Sequence, residues 1–372
     1  MTLPLRPELR AVEPYGAPQL DVPICLNVNE NPYAPSAAVV DDIAQAVRRA
    51  ATGLNRYPDR DAMTLRSTLA DYLARESNVR IEPQRIWAAN GSNEVMLHIL
   101  QAYGGHGRTL MSFAPTYSMY HEYARDTGTQ WVAGHRKDDF TLDLDHVRAL
   151  VTKVRPSVLV LTSPNNPTGT ALTIEEIRQV AQLTRTTGPV IDGEQTATVF
   201  VVDEAYGEFR REGTPSALSL LDDYDHLVVT RTMSKAFGAA GLRLGYLAAS
   251  HEVIADVMKV RLPYHLSAIT QAAALAALSH ADELMSQVAH VRSTRDSLVE
   301  WLRTEGFKAA PSDANFVLFG RFNDRQRVFD ELLKRGILIR VVGPEGWLRV
   351  SVGTDEEDEA FRTALKEVVT ND

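Results

Sequence analysis

Cysteine is nearly absent from the sequence, since Cys25 is the only one in 372 residues. A single cysteine cannot form a disulfide within the chain. Chains of this kind suit a reducing compartment, in which thiols stay reduced. We therefore expect a cytoplasmic protein without internal disulfides.

Long apolar runs are also missing. The longest weakly polar stretch, Ser267 to Ser279, is rich in alanine and helical in character. It is shorter than the roughly 20 residues that a membrane span needs. The first ten residues include Arg6, Glu8 and Arg10 and hold no apolar run of signal-peptide length. We expect no membrane partner.

Positive charge is in deficit. Lys and Arg total 39 against 48 Asp and Glu, a formal net charge of −9. An acidic chain has no general attraction for nucleic acid, so we expect no such partner, and a small anion would need a local cluster of Arg or backbone N–H groups. A Gly-x-Gly-x-x-Gly motif after a first strand is also missing, which disfavours a nicotinamide-dependent dehydrogenase.

The composition and the order of apolar runs predict a two-part α/β protein. The apolar fraction is 44% and the charged fraction 23%, ordinary values for a globular chain, and the length favours two domains. Buried-type runs such as Val158–Thr162 and Val199–Val202 alternate with helical segments, which indicates a mostly parallel sheet covered on both faces. We predict an N-terminal arm (1–30), a large domain (31–265) and a smaller α+β domain (266–372).

Two segments carry more specific expectations. Residues Ser267 to Thr304 predict one long helix or two helices in line. Residues Gly188 to Thr198 are a long link before the next apolar strand, and we predict a surface-loop insertion there, because lengthening a loop costs little closure entropy.

The lysine motif is the first that carries chemistry. Residues 231–235 (Arg-Thr-Met-Ser-Lys) follow an apolar strand and precede a Gly/Ala-rich stretch. A lysine at such a strand end can form an imine with an aldehyde cofactor. Arg243 can pair with a phosphate, and the hydroxyls of Thr232 and Ser234 can bind it too. A lone lysine is more often a surface residue, but the surrounding pattern reverses those odds for Lys235.

Two further motifs follow predicted strands. Ser163 to Gly169 reads as a tight turn in which Asn166 could donate to a phenolate oxygen, although alone it is only a turn. Asp203 ends an apolar run, where an unpaired carboxylate is costly. It needs a cation, either a protonated pyridine nitrogen or an arginine of the fold. Tyr206 could bond the oxygen of the same ring.

A strand-to-helix turn supplies a candidate phosphate site. Residues 90–94 (Asn-Gly-Ser-Asn-Glu) place Ser92 and Asn93 at a predicted helix start. Free N–H groups at a helix N-terminus bind phosphate well. Ser92 could equally be a helix N-cap, and one pattern can serve both purposes.

These motifs occur along the chain in the order phosphate turn, Asn turn, Asp strand end, Lys strand end and Arg. That order resembles the fold-type I aminotransferases, from about Asn29 to Gly353. The resemblance implies an α/β fold with an aspartate-aminotransferase-like large domain, a mostly parallel sheet and a smaller α+β domain. It also implies an enzyme that uses pyridoxal 5'-phosphate and no metal.

The resemblance assigns roles to the site residues. In that family a lysine holds the cofactor covalently and then moves the proton, so Lys235 takes the catalytic role. Asp203 would keep the pyridine nitrogen protonated, which makes the ring an electron sink. Tyr117 resembles the aromatic residue that stacks on the ring, while Asn166 and Tyr206 would bind the ring oxygen. The full set implied to contact the cofactor is Tyr57, Ser92, Asn93, Tyr117, Asn166, Asp203, Tyr206, Thr232, Ser234, Lys235 and Arg243.

Finer motifs resemble the histidinol-phosphate aminotransferases. They are residues 26–32 (Leu-Asn-Val-Asn-Glu-Asn-Pro) and 56–59 (Arg-Tyr-Pro-Asp). In that family the tyrosine of the second motif reaches the neighbouring subunit's cofactor, so Tyr57 implies a homodimer with shared active sites. Arg349 resembles the arginine that holds the substrate carboxylate and Arg340 the one that meets the substrate phosphate. The implied substrate-binding set is Tyr15, Asn29, Tyr264, Arg340 and Arg349.

The implied reaction is reversible amino transfer between L-histidinol phosphate and 2-oxoglutarate in histidine biosynthesis, with imidazole acetol phosphate and glutamate as products. One site must then accept a phosphate dianion and two carboxylates, which two arginines on adjacent strands would allow. An aromatic-amino-acid aminotransferase acting on phenylalanine shares these motifs and stays open. A pyridoxal-phosphate decarboxylase of a phosphorylated amino acid and a non-enzymatic regulatory module are the remaining alternatives.

Overall fold

The apolar runs of the sequence become short strands in the computed structural model, which describes residues 3–370. Residues 1, 2, 371 and 372, at the outer ends of the predicted arm and small domain, lie outside this range. The strands are β1 (Ile24–Cys25), β2 (Ile86–Ala89), β3 (Thr109–Ala114), β4 (Gln130–His135), β5 (Val158–Thr162), β6 (Val190–Ile191), β7 (Glu194–Gln195), β8 (Val199–Asp203), β9 (Leu227–Thr232), β10 (Gly245–Ala248), β11 (Lys308–Ala309), β12 (Phe316–Gly320), β13 (Ile337–Leu338) and β14 (Leu348–Ser351).

Helices alternate with these strands. They are α1 (Ala37–Ala51), α2 (Met63–Glu76), α3 (Gly91–Tyr103), α4 (Met119–Thr127), α5 (Leu144–Val154), α6 (Ile174–Thr184), α7 (His251–Val260), α8 (Ala268–Ser279), α9 (Ala281–Thr304), α10 (Arg325–Lys334) and α11 (Asp355–Thr370). Their starts follow local chemistry. Thr173 and Glu176 form a reciprocal capping box at α6, for example, which satisfies two backbone donors.

Seven strands form the central sheet in the order β2-β10-β9-β8-β5-β3-β4. Strand β10 is antiparallel to both neighbours, and the remaining pairs are parallel. Both faces are covered. Phe200 and Val202 of β8 enter one apolar cluster, while Val199 and Val201 enter the other. This alternation explains why the strand reads as a continuous apolar run, and it confirms the predicted α/β fold with a mostly parallel sheet.

A second, smaller sheet lies in the C-terminal part of the chain. Strands β11, β12 and β14 are antiparallel, and α9, α10 and α11 share an apolar cluster with them. Strand β1, from the predicted arm, pairs in parallel with β13 through Ile24 and Ile337. The end of the arm therefore folds onto this smaller unit, which positions the chain entering residues 26–29.

The predicted division at 265/266 stays a prediction. The expected helical stretch from Ser267 to Thr304 is two helices, α8 and α9, which meet at His280. Helix α8 packs against α1 and α2, so it contacts helices that precede the central sheet. The first residues after the predicted boundary therefore pack beside the large sheet.

Two local segments add detail to the expectations. The segment predicted as a surface-loop insertion contains a short hairpin, β6–β7, whose turn residues Asp192 and Gly193 both have positive φ (51° and 85°). That geometry is typical of the two-residue Asp-Gly turn. The apolar pattern of residues 337–341 (Ile-Leu-Ile-Arg-Val) predicts one strand, whereas β13 is only two residues long and Arg340 continues it as an isolated bridge to Arg349.

Across residues 3–370, none of the helices combines the length and the apolar character that crossing a membrane would require.

Candidate active site

A cavity of about 270 Å³ opens at the carboxyl ends of the parallel strands. Thr162, Asp203 and Thr232, the last residues of β5, β8 and β9, all line it. Ligands of open α/β sheets bind at this edge. The cavity brings together every predicted site residue except two: Tyr15, Asn29, Ser92, Asn93, Tyr117, Asn166, Asp203, Tyr206, Thr232, Ser234, Lys235, Arg243, Arg340 and Arg349.

The start of α3 forms an anion cradle. Asn90 is the N-cap, so Ser92 lies inside the first turn and is not the capping residue. The first N–H groups of a helix lack intrahelical partners and favour a negative charge. Gly91 has φ +81°, and a Cβ there would lie 2.7 Å from Arg243 Nη2. A Cβ at Gly245 would collide with the Ser92 backbone nitrogen, so both glycines permit this close approach.

Arg243 faces the same cradle from the segment before β10. It adopts a left-handed backbone conformation, and its Nη1 lies 3.3 Å from Ser234 Oγ. Thr232 Oγ1 donates to Ser234 Oγ over 3.0 Å. The two hydroxyls and the guanidinium thus converge opposite the start of α3, which is an arrangement suited to a phosphate group.

Asp203 is a buried carboxylate at the end of β8. Tyr120 Oη donates to its Oδ2 over 2.6 Å, and Oδ1 accepts from Thr230 Oγ1 and from the Ala205 N–H, both at 3.1 Å. Within residues 3–370 no Arg, Lys or His lies in ion-pair contact with it. Burial raises the pKa of Asp203, and these three donors oppose the rise. The carboxylate therefore points into the cavity with room for a cationic partner.

Arg231 could have paired with Asp203, but it binds the adjacent carboxylate of Glu204 instead. Arg231, fully buried, lies 2.7 Å from Glu204 Oε2 and 3.0 Å from Glu208 Oε1. Adjacent residues of a strand face opposite sides of the sheet. Glu204 therefore points away from the cavity, where Arg231 meets it, which leaves Asp203 available to a ligand.

Lys235 lies between the arm and the sheet. Its Nζ donates to the Val28 carbonyl over 2.8 Å and lies 5.9 Å from the centroid of the Tyr206 ring. Desolvation in the cavity lowers the pKa of Lys235 from 10.5 to about 8, and the nearby Arg349 guanidinium lowers it further in the same direction. An amine with this pKa carries a large neutral fraction close to physiological pH, as a nucleophile requires.

Tyr206 receives two amide donors. Asn29 Nδ2 lies 2.9 Å and Asn166 Nδ2 3.4 Å from its hydroxyl oxygen. Asn29 also exchanges hydrogen bonds with Ser351 of β14. The structure thus places Asn29, predicted to bind substrate, in the cavity lining, where its side-chain amide donates to Tyr206. Tyr117 lines the cavity nearby.

Arg340 and Arg349 bring two guanidinium groups to the cavity. Their backbones exchange hydrogen bonds of 3.0 and 2.9 Å. Arg349 Nη1 donates to Asn166 Oδ1 over 2.6 Å and Nη2 to the Asn27 carbonyl over 2.7 Å, while its buried Nε has no acceptor among the described residues. Burial lowers the pKa of Arg349 to about 10, with a contribution from Arg340. The cavity of this acidic protein is therefore locally cationic.

The arm also reaches the cavity. Tyr15 hydrogen-bonds Ser118 at 2.8 Å, and Asn27 Nδ2 donates to the Pro18 carbonyl over the same distance. These contacts hold residues 15–18 against the cavity, which agrees with the place predicted for Tyr15.

The two predicted site residues outside the cavity lie together on the surface. Tyr57 and Tyr264 stack with ring centroids 4.4 Å apart and exposed fractions of 79% and 40%. Leu54 and Leu262 are exposed at 57% and 73%. Tyr264 was predicted to line the substrate pocket, but it does not line the cavity of its own chain.

Several residues of the site were missed from the sequence. Tyr120 bonds Asp203, and Tyr123 Oη donates to Asn93 Oδ1 over 2.8 Å. Both follow Tyr117 at three-residue spacing, which places all three tyrosines on one side of the helix start at α4. That spacing is the one sequence signal that could have placed Tyr120 and Tyr123 near the site. Val28 offers only a backbone carbonyl, which no side-chain pattern can reveal.

Known proteins resemble this chain over nearly its whole length. Residues 22–365 match the family described as aminotransferase class I and II. The histidinol-phosphate aminotransferase of Bifidobacterium longum (strain NCC 2705) is 58% identical over 99% of this chain and 97% of its own length. The crystal structure of histidinol-phosphate aminotransferase from Sinorhizobium meliloti in complex with pyridoxal-5'-phosphate superposes with a TM-score of 0.81 at 26% identity, covering 94% of this chain and 92% of that one. A tetra mutant of Thermus thermophilus aspartate aminotransferase gives 0.78 at 26% identity, covering 98% and 99%, which confirms the predicted fold. The chain therefore belongs to the class I and II aminotransferase family.

Proposed function

We propose that the protein is a pyridoxal-phosphate-dependent transaminase that transfers the amino group between L-histidinol phosphate and 2-oxoglutarate in histidine biosynthesis. The names of relatives such as the Bifidobacterium enzyme, 58% identical over 99% of the chain, support this activity. The observation that carries the substrate assignment is the pair Arg340 and Arg349, which lines one cavity with a lysine of lowered pKa.

The residues present fit the cofactor. Asp203 offers a buried carboxylate without a cation among the described residues, which suits a protonated ring nitrogen. The start of α3 and Arg243 form an anion cradle that a Cβ at Gly91 would fill, which suits the phosphate group. When bound, pyridoxal phosphate supplies an aldehyde that takes up the amino group and a conjugated ring that withdraws electrons.

Lys235 supplies the nucleophile and moves the proton. With a pKa of about 8, its Nζ is partly neutral at physiological pH and can both attack a carbonyl carbon and accept a proton. The Val28 carbonyl accepts from Nζ and so fixes its position. The Tyr206 oxygen accepts from Asn29 and Asn166, which leaves the Tyr206 proton free for donation into the cavity.

The two arginines suit the two substrates. Histidinol phosphate carries a phosphate dianion and no carboxylate, whereas glutamate carries two carboxylates. Arg349 is buried, and its Nε donor has no acceptor among the described residues. Because an unsatisfied buried donor is costly, a bound anion that accepts from Nε would be stabilised. Arg340 lies beside it, so the two guanidinium groups together can balance a dianion.

The assembly belongs to the same proposal. We infer a cytoplasmic homodimer in which Tyr57 reaches the cofactor of the second subunit. The exposed apolar group formed by Leu54, Tyr57, Leu262 and Tyr264 supports it, because a cluster of this kind is typical of a protein interface. The substrates are small molecules, as in the family.

An absorbance titration of the purified holoprotein tests the function. Histidinol phosphate and, separately, phenylalanine are added while the band of lysine-bound cofactor is followed. We expect conversion at low histidinol phosphate and little response to phenylalanine. A stronger response to phenylalanine would move the function to aromatic transamination. Carbon dioxide release from a phosphorylated amino acid that carries a carboxylate, without 2-oxoglutarate, would indicate a decarboxylase.

The variant Arg340→Ala tests the phosphate assignment. We expect the KM for histidinol phosphate to rise by about 10-fold or more with little change for phenylalanine, since a charge-assisted bond contributes roughly 1.5–3 kcal/mol. Arg178→Ala, which removes an exposed surface ion pair, is the matched control. An unchanged KM for the phosphorylated substrate would contradict the role of Arg340.

A further inference from the structure

Helix α4 and the residue before its N-cap present three tyrosines to three different parts of the site. Tyr117 lines the cavity, Tyr120 bonds Asp203, and Tyr123 bonds Asn93 at the start of α3. The Tyr117 and Tyr120 rings meet edge to face, 5.6 Å apart at 90°. This segment therefore connects three parts of the site, namely the cavity wall at Tyr117, the carboxylate of Asp203 and the anion cradle at the start of α3.

Tyr120, like Tyr123, does not line the cavity. It is fully buried. Its hydroxyl nevertheless makes the shortest hydrogen bond to Asp203, 2.6 Å to Oδ2, and lies 2.9 Å from Thr162 Oγ1. Since Thr162 can donate to the Tyr120 oxygen, the Tyr120 proton is directed to the carboxylate.

We propose that Tyr120 is a positioning residue that keeps Asp203 ionised and orients its carboxylate toward the cofactor ring nitrogen. The inference rests on the proposed cofactor and not on the proposed substrate. Donors at both oxygens fix the rotation of the carboxylate, and a donor that is itself buried cannot be replaced freely by water.

The surroundings of Asp203 explain why such a donor is needed. Burial raises the pKa of Asp203, and the adjacent Glu204 adds to the rise. Tyr117, Tyr123 and Tyr206 also face it, but burial raises the pKa of each of these phenols, so they stay neutral. Before the cofactor binds, hydrogen bonds are therefore what opposes neutralisation of this carboxylate, and Tyr120 is the first of them.

The variant Tyr120→Phe removes the hydroxyl and retains the ring that packs on Tyr117. Cofactor dissociation constants are measured by equilibrium dialysis without any substrate, between pH 5.5 and 9. We expect the constant at pH 7.5 to rise by about 10- to 100-fold, from a hydrogen bond to a charged group. The loss of affinity on acidification, which follows protonation of Asp203, should move to higher pH.

The matched control is Tyr103→Phe. Tyr103 on α3 also donates to a carboxylate, Asp256 Oδ2, over 2.8 Å, but it lies outside the cavity. This variant should retain the wild-type cofactor affinity and pH profile. Thr230→Val, which removes a weaker donor to Asp203, should shift both quantities in the same direction as Tyr120→Phe but less. It keeps the inference testable if Tyr120→Phe does not fold.

A double-mutant cycle separates positioning from packing. If Tyr120 acts through Asp203, the effect of Tyr120→Phe disappears in an Asp203→Asn background. An equal loss of affinity in that background would overturn the inference, as would wild-type affinity and an unmoved pH profile in Tyr120→Phe. Failure of histidinol phosphate as a substrate would leave these binding results unaffected, so the two proposals fail separately.

Discussion

Lys235 should react as a nucleophile at a pH well below that of an ordinary lysine. Its pKa is lowered from 10.5 to about 8, first by desolvation and then by Arg349. At pH 8 about half of the Lys235 side chains are then neutral, against about 0.3% for an unperturbed lysine. The lowered pKa should therefore speed attachment of pyridoxal phosphate to the apoprotein at that pH by at most about 150-fold, because an amine of lower pKa is also a weaker nucleophile.

The assay is the rate of cofactor attachment to apoprotein, followed by absorbance after rapid mixing at intervals from pH 6 to 11. We expect the rate to rise with pH and level off above a midpoint near 8. The variant Arg349→Met removes the second-largest cause of the lowered pKa and leaves desolvation and Arg243 in place. Its midpoint should rise but remain below 10.5, because burial is the larger cause and persists. Titration of the free cofactor is common to both proteins, so the difference between them reports on Lys235.

Three results would refute this reasoning. A wild-type midpoint near 10.5 would mean that the cavity does not destabilise the ammonium form. Identical midpoints for the wild type and Arg349→Met would mean that the two cations do not interact across the cavity. A fall in the midpoint of Arg349→Met would contradict the sign of the effect, since removal of a neighbouring cation favours protonation.

Three further variants test other parts of the structure. Arg231→Met leaves buried carboxylates without their cation. It should lower the free energy of unfolding, measured by urea titration, by about 3–5 kcal/mol. The exposed control Arg178→Met should change the same free energy by less than about 1 kcal/mol. Gly245→Ala should displace Ser92 and weaken cofactor binding while circular dichroism stays that of the wild type. Lys235→Ala should abolish turnover and covalent cofactor attachment, read by mass spectrometry after borohydride reduction, and retained turnover would contradict the assignment.

Most strands could be placed from the sequence because each is a short apolar run between helical segments. The strand at residues 158–162, for example, has the predicted bounds. The hairpin at β6–β7 was missed although its Asp192-Gly193 pair is a strong turn signal, since the flanking residues are exposed and do not alternate. The shortening of the strand at Ile337 reflects pairing with β1, a partner more than 300 residues away in sequence.

The site residues also divide into those that could be recognised from the sequence and those that only the structure reveals. Lys235 and Asp203 could be recognised because each polar side chain follows an apolar strand, and parallel strands end at one edge of their sheet. Tyr120 carried the signal of helical spacing, but its partner Asp203 lies 83 residues away and no local pattern joins them. Tyr264 was placed in the pocket by resemblance, whereas it stacks on Tyr57 at the surface of its own chain.

The sequence by itself determined the class of fold, the edge at which ligands bind and the residue types that meet there, because strand periodicity and polar residues at strand ends are local properties of the chain. Tertiary structure decided which of those groups are paired. Arg231 forms an ion pair with Glu204, so that Asp203 accepts a hydrogen bond from Tyr120 instead. The burial that lowers the pKa of Lys235 involves the arm, whose Val28 carbonyl accepts a hydrogen bond from Nζ. Pairing and desolvation depend on distances between segments far apart in sequence, and packing alone sets those distances.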